Sequence, residues 1–262
     1  MTDGQAATAE FAGPGGIAID KAGNVFVADS LAHRIRRIDS SGNVSTFAGG
    51  GDSGLCCGQF RDGLGTDARF SLPAGLAFDP DGNLVVADKD NDRIRSITPN
   101  GVVSTIAGDR SAGPVGLQVP LKGPVGLAID RDGTIYFTEH RGNSIRRITP
   151  TGKIETILSS VPAVVTGDLG SLSRGEGLAF PSGLAILADG SLLVADTQAN
   201  RILHVVVGGV STMVAGNGSP GLANGQGQSA RFSSPVGIAI LGSGEVVVAD
   251  QGNRRLAFLA LK

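Results

Sequence analysis

The sequence predicts an all-β chain of five tandem, four-stranded antiparallel sheets, each buried on both faces, which is the architecture of a β-propeller. Three observations carry this. A Pro-x-Gly-[Ile/Leu]-Ala string begins at Pro14, Pro73, Pro124, Pro181 and Pro235. Strand-sized apolar runs recur at fixed offsets inside each unit, and no segment keeps a helical period. Glycine supplies 41 of the 262 residues, about twice the usual share, and falls largely between those runs, where turns are needed.

The first strand of each unit opens at Gly16, Gly75, Gly126, Gly183 and Gly237. Blades are therefore expected over about 16–49, 75–108, 126–158, 183–216 and 237–262, in one domain spanning 1–262. The small Ala18, Ala77, Ala128, Ala185 and Ala239 are read as relief of crowding where first strands converge. A hairpin follows at 20–24, 79–83 and 130–134, with Asp suited to the turn start and Gly supplying positive φ. The second strand (25–28, 84–87, 135–138, 192–195, 246–249) is apolar on both faces, so it belongs between neighbouring sheets. The third carries pairs such as Ile35 and Ile38, or Ile94 and Ile97. Their three-residue spacing implies a bulge, or Arg stems packed between blades. The fourth covers 44–48, 103–107, 154–158 and 210–215, and the last unit shows none. Three arrangements stay open: residues 6–11 supply the missing strand, the last blade is three-stranded, or the five units are part of a six-bladed ring.

An acid ends each second strand, at Asp29, Asp88, Glu139, Asp196 and Asp250. Five residues later stand Arg34, Arg93, Ser144, Arg201 and Arg255, and the acid and Arg are expected to pair across the loop. Taken together, these motifs resemble the NHL repeat. The second unit, 72–108, fits almost throughout, from Pro73-Ala-Gly-Leu-Ala through Asp81-Gly-Asn and Val-Val-Ala-Asp88 to Asn91-Asp-Arg-Ile-Arg95 and Ser104-Thr-Ile-Ala-Gly108. The linkers Asp3-Gly4…Phe11, Asp62-Gly63…Phe70 and Asn224-Gly225…Phe232 are similar to those of bacterial-type NHL arrays. The resemblance implies a propeller, often six-bladed, with a binding or scaffolding role. Some relatives are peptide-amidating lyases or other propeller lyases and lactonases.

In an antiparallel meander the linkers into the first strand and the second-to-third loops emerge on one face. Length varies mainly there, and such insertions mark binding faces. Function is expected on this face, with His33, Asp92, Glu139, His140, Arg141, Asn200 and Asn253 as candidate ligand-binding residues. The third unit departs most from the pattern, combining Glu139, Ser144, Thr138 and His140 with the only tyrosine, Tyr136.

No catalytic set is visible: there is no Gly-x-Ser-x-Gly, and His33, His140 and His204 fall in three different units. The run from Asp79 to Asn83 looks like a calcium loop but lacks a Glu at the twelfth position, and it reads as a plain turn. Cys56 and Cys57 are adjacent, which suits free thiols or a strained vicinal disulfide. No metal and no cofactor is expected. The reading is a non-catalytic binding or scaffold module for a protein or small ligand, monomeric if the ring closes. A lyase or lactonase with a metal in the axial channel is the first alternative. The second is RNA binding through the third-strand arginines, opposed by a net charge of −2 and the absence of Trp. No apolar run is long enough for a membrane span, and the first residues show neither the basic nor the apolar stretch of a signal peptide.

Overall fold

The computed structural model describes residues 2–50, 59–108, 119–160, 177–208 and 210–259; Cys56 and Cys57 lie outside the described residues. The fold is all-β, with five antiparallel sheets in the tandem arrangement of propeller blades and short 3-10 turns as its only helix among the described residues. No described helix is long and apolar enough to cross a membrane.

The five first strands are Pro14–Ile19, Pro73–Phe78, Pro124–Ile129, Pro181–Ile186 and Pro235–Ile240. In the second sheet they lead to Leu84–Asp88, Arg93–Ile97 and Val102–Ala107, in meander order. The chain forms two compact units, one of residues 1–135 with 148–154 and the other of 136–147 with 155–262. In the first unit Phe26, Ala28, Ile35, Phe70, Leu76, Leu84, Val86 and Val103 form a core between the first and second sheets. In the second unit Leu193, Ala195, Ile202, Phe232, Val246 and Val248 do the same between the fourth and fifth. The second strands Leu84–Asp88 and Leu192–Asp196 are buried at every residue, as strands covered on both faces must be.

Crowding between first strands falls on glycine rather than on alanine. A Cβ on Gly16 would sit 2.2 Å from the Ala74 carbonyl oxygen, one on Gly75 2.2 Å from that of Val125, and one on Gly183 2.5 Å from that of Val236. Such distances exclude any side chain. The alanines two residues on are under no such constraint: Ala18 is half-buried and Ala239 exposed.

The bulge lies in the fourth strand, not the third. Ile35 pairs with Ala48 and Arg36 with Thr46, which leaves Phe47 as the extra residue; Ile106 and Val214 hold the same position in their sheets. The third strand therefore alternates regularly, and this turns Arg36 and Arg95 inward, where both are fully buried.

The N-terminal residues do not complete the last sheet. Gly4–Gln5 pairs with the fourth strand of the first sheet, Asn43–Ala48, just as Gly63–Leu64 pairs with Val102–Ala107, so both sheets become five-stranded. Ala6 donates its N–H to the Gly42 carbonyl, and residues 6–11 form turn and coil. Among the described residues the fifth sheet has three strands, Pro235–Ile240, Val246–Asp250 and Arg255–Leu259. Its Leu256 is 64% exposed, whereas the equivalent Ile35, Ile94, Ile145 and Ile202 are all 0% exposed.

Candidate functional site

Each second-to-third loop is built around the buried acid that ends the second strand. In four sheets one carboxylate oxygen accepts the backbone N–H of the linker residue seventeen positions earlier: Ala12 to Asp29 at 2.7 Å, Ser71 to Asp88 at 2.7 Å, Ala179 to Asp196 at 2.6 Å and Ser233 to Asp250 at 2.7 Å. The other oxygen faces an arginine, and the source of that arginine differs between sheets. In the fourth and fifth sheets it is the expected one, Arg201 to Asp196 and Arg255 to Asp250, each 2.8 Å through Nε. In the first and second sheets it comes from two residues further on, Arg36 to Asp29 at 3.4 Å and Arg95 to Asp88 at 2.8 Å. The expected Arg34 and Arg93 stand opposite these acids in the strand register. The fourth and fifth sheets carry Leu203 and Ala257 at the further position, so only the nearer arginine is present there. Burial pushes the Asp88 and Asp196 carboxyls up, against the pull of Arg95, Arg201 and the donated N–H groups.

The Asp-Gly linkers complete this socket. Arg95 donates to the Arg61 and Arg69 carbonyls and to the Asp62 carboxylate, which also accepts the N–H and hydroxyl of Thr105. Arg36 repeats the pattern with Thr2, Glu10, Asp3 and Thr46. Burial raises the Asp3 carboxyl, but the Thr46 amide and hydroxyl and the Arg36 charge outweigh it and hold the group below the usual carboxylate range.

The residue just before the third strand forms a second recurring contact. His33, Asp92, Asn143, Asn200 and Arg254 all adopt positive φ, between 46 and 54°. In four sheets the side chain accepts the backbone N–H that precedes the next sheet's first proline. Leu72 donates to His33 Nδ1 at 3.1 Å, Gly123 to Asp92 at 2.6 Å, Phe180 to Asn143 at 2.8 Å and Ser234 to Asn200 at 2.9 Å. Arg254 holds the position in the fifth sheet and carries no acceptor. Burial lowers the His33 pKa, with Asp90 opposing, which suits a neutral ring that accepts through Nδ1.

The candidate residues are thus distributed over these joints. His33, Asp92 and Asn200 each latch one sheet to the next. Asn253 donates to the Asp250 carboxylate and to the Gly221 carbonyl, both at 2.7 Å, and so pins its own loop. Glu139 is buried, accepting from Ser144 at 2.6 Å and from Arg146 at 3.2 Å. The third unit's departures fit one another. A Cβ on Gly142 would lie 2.8 Å from the Glu139 carboxylate, so the longer acid is matched by a glycine beside it and by a short hydroxyl in place of the nearer arginine. His140 packs edge-on to Phe180, with ring centroids 4.7 Å apart, and Arg141 is exposed. Among the described residues no three His, Cys, Asp or Glu side chains are grouped to hold a metal ion. The carboxylates of Asp20 and Asp79 accept N–H groups of their own hairpins, as plain turns require.

One association escaped the sequence reading. His204 Nε2 lies 2.7 Å from Ser191 Oγ, and that hydroxyl donates to Asp189. The single hydroxyl proton goes to the carboxylate, so the imidazole must be the donor to serine. This order ties down a turn and leaves the serine without a base to activate it.

The NHL repeat model matches residues 11–38 and 70–95, which hold the first three strands of the first sheet and, in the second, two strands and the start of the third. This chain folds as a β-propeller and matches the NHL repeat in its first two sheets. Human Teneurin-4 is 29% identical over 282 residues, covering 90% of this chain and 10% of that protein. NHL repeat-containing protein 2 of Bos taurus is 26% identical over 272 residues, covering 86% of this chain and 35% of that protein. The chain thus spans only a minor part of the relatives it matches. Among solved structures, virginiamycin B lyase from Staphylococcus aureus superposes with a TM-score of 0.59 at 18% identity, over 99% of this chain and 73% of that one. At that identity the likeness speaks for the fold. In NHL terms, the Asp and the Asn-x-Arg-Ile-Arg stretch of the repeat are its joint chemistry: acid, linker N–H and arginine in one socket, and an αL residue reaching the next blade.

Proposed function

We propose that this NHL propeller is a non-catalytic binding or scaffold module that engages a protein or small ligand through the loop-rich face. The observation that supports this most is the engagement of that face's buried polar groups. The acids hold linker N–H groups and arginines, and the αL side chains hold the next sheet, so the loops form a rigid platform. Recognition then falls to exposed tips such as Leu31, Asp90 and Arg141. The NHL proteins it resembles support a binding role over the lyase and lactonase alternative. Arg36, Arg95 and Arg201 are buried against carboxylates, which withdraws three cations from a phosphate-binding face.

A photo-crosslinking amino acid placed at Arg141 or Leu31 is expected to capture a partner in extracts of the source cells. The same group at Lys21, on a first-to-second hairpin, serves as the control and should not. Equal capture from both positions would count against the loop face. Turnover of a lactone or a cyclic depsipeptide by the purified chain, lost in Glu139→Gln, would replace the binding reading with the enzymatic one.

A further inference from the structure

The third strand of the first sheet carries an arginine without the acid that its counterpart in the third sheet has. That counterpart, Arg147, is held by Glu155, with Nε at 2.8 Å and Nη2 at 2.6 Å from one carboxylate oxygen. The same place in the first sheet is Arg37, and Ser45 stands opposite it in the strand register, where the third sheet has Glu155. Arg37 donates through Nη2 to Asn24 Oδ1 at 3.1 Å, and its Nε is buried with no acceptor among the described residues. Arg34, Arg36, Arg93 and Arg146 share such an Nε, but of these arginines it is Arg37 that borders the pocket between the first two sheets.

That pocket measures ≈ 380 Å³ and opens on the hairpin face, within the first compact unit. Phe26, Phe47, Phe78, Leu84 and Ile97 form its wall. Phe47 and Phe78 both meet the Phe26 ring edge to face, with centroids 5.0 and 5.3 Å away. An apolar wall of this size with a convergent polar group is the usual form of a small-molecule site. Asp20 and Asp79 also border it, but their carboxylates accept N–H groups of Ala22 and Asn24, and of Asn83, in their own hairpins. Lys21 adds an exposed ammonium to the same rim. Two acids and two bases balance there, so the polar hold on a ligand falls to the guanidinium that lacks an acid.

We propose that this pocket binds a small aromatic carboxylic acid, its carboxylate on Arg37 as Glu155 is on Arg147, and its ring against the three phenylalanines. The carboxylate supplies a charge-assisted acceptor to a donor otherwise left unsatisfied, and the Phe edges and faces hold the ring. In the third sheet the same place is filled from within, because Glu155 occupies the arginine and Tyr136 stands where the first sheet has Phe26. The site lies on the hairpin face, so the proposal goes beyond the loop-face reading and its failure leaves that reading intact.

The test is calorimetric titration of the full chain with naphthoate, and with naphthamide and naphthylmethylamine as neutral and cationic controls. Naphthoate should bind saturably, the amide about tenfold more weakly or less, and the amine not at all. Ser45→Glu gives Arg37 the acid that Arg147 already has. It should abolish naphthoate binding without lowering the unfolding midpoint. Arg37→Gln should weaken naphthoate about tenfold and leave the amide unchanged, whereas Arg147→Gln should leave both unchanged. Several results would overturn the proposal: no saturable binding of naphthoate, equal binding of the amide or the amine, undiminished binding in folded Ser45→Glu or in Arg37→Gln, or equal losses in Arg37→Gln and Arg147→Gln.

Discussion

The second and fifth sheets carry the same acid, the same linker bridge and the same three strands, yet they differ in charge handling and in closure. In the second, Arg95 is fully buried between Asp88 and Asp62, with Phe60 and Phe70 rings within 5.0 Å of its guanidinium, and the fourth strand seals the edge. In the fifth, the arginine is Arg255, its side chain 22% exposed, its second partner is a neutral Asn224, and the third strand is the outer one described. The comparison separates two jobs that the repeat combines. In both sheets the acid–arginine socket docks the linker. In the second sheet, where a fourth strand is described, the arginine and the third strand are the more deeply buried.

The largest expected effect lies in that contrast. Arg95→Ala leaves Asp88 buried without its cation and should destabilise the chain by about 3–5 kcal/mol in urea unfolding. Arg255→Ala removes a partly solvated partner and should cost only about 1 kcal/mol. Equal losses would mean that closure does not govern the socket. Next, Gly75→Ala drives a Cβ against the Val125 carbonyl and should cost about 1–3 kcal/mol, whereas Gly82→Ala, with open space around it, should lose only what its positive φ of 87° imposes. A smaller effect is expected within the third unit. Gly142→Ala should be rescued by Glu139→Asp, with a coupling of about 1 kcal/mol in a double-mutant cycle, because shortening the acid makes room for the methyl. Strict additivity would show that the two positions vary independently.

The smallest effect concerns pH. The His33 pKa is lowered by burial from its ordinary 6.5, so the unfolded chain binds this proton more readily than the folded one. Stability from this latch is therefore complete above about pH 6.5 and declines as pH falls below it. His33→Asn, the side chain used at the same position in two other sheets, should keep the latch and flatten unfolding midpoints between pH 5 and 6.5. A midpoint curve with unchanged slope in the variant would place the titrating group elsewhere.

Much of the fold was legible because blade elements are local. Strand runs, Asp-Gly hairpins and the Pro-x-Gly string lie within a few residues of one another, and period and turn chemistry suffice to read them. What escaped depends on side-chain direction. Arg34 and Arg36 differ by two positions on one strand and both face the acid's side. The choice between them follows from the linker carboxylate of Asp3, 33 residues from Arg36 in the chain. The burden on Gly16 and Gly75 arises from neighbouring sheets about fifty residues away, which no local pattern displays. In the sequence, His33, Asp92 and Asn200 stand out only as polar side chains at loop ends. Their positive φ and their distant N–H partners, the reason for those residue types, belong to the joint between consecutive sheets. In unit three the odd residues Glu139, Gly142 and Ser144 become intelligible only as a set in contact.

The polar residues of the loop ends hold one blade to the next. Residue-resolved amide exchange in Asn200→Ala tests it most directly. The Ser234 N–H, which Asn200 accepts at 2.9 Å, should exchange markedly faster than in the parent chain, while the Gly123 N–H, held by Asp92, stays protected. Unchanged exchange at Ser234 with an unchanged unfolding midpoint would contradict the account and return Asn200 to the list of candidate ligand contacts.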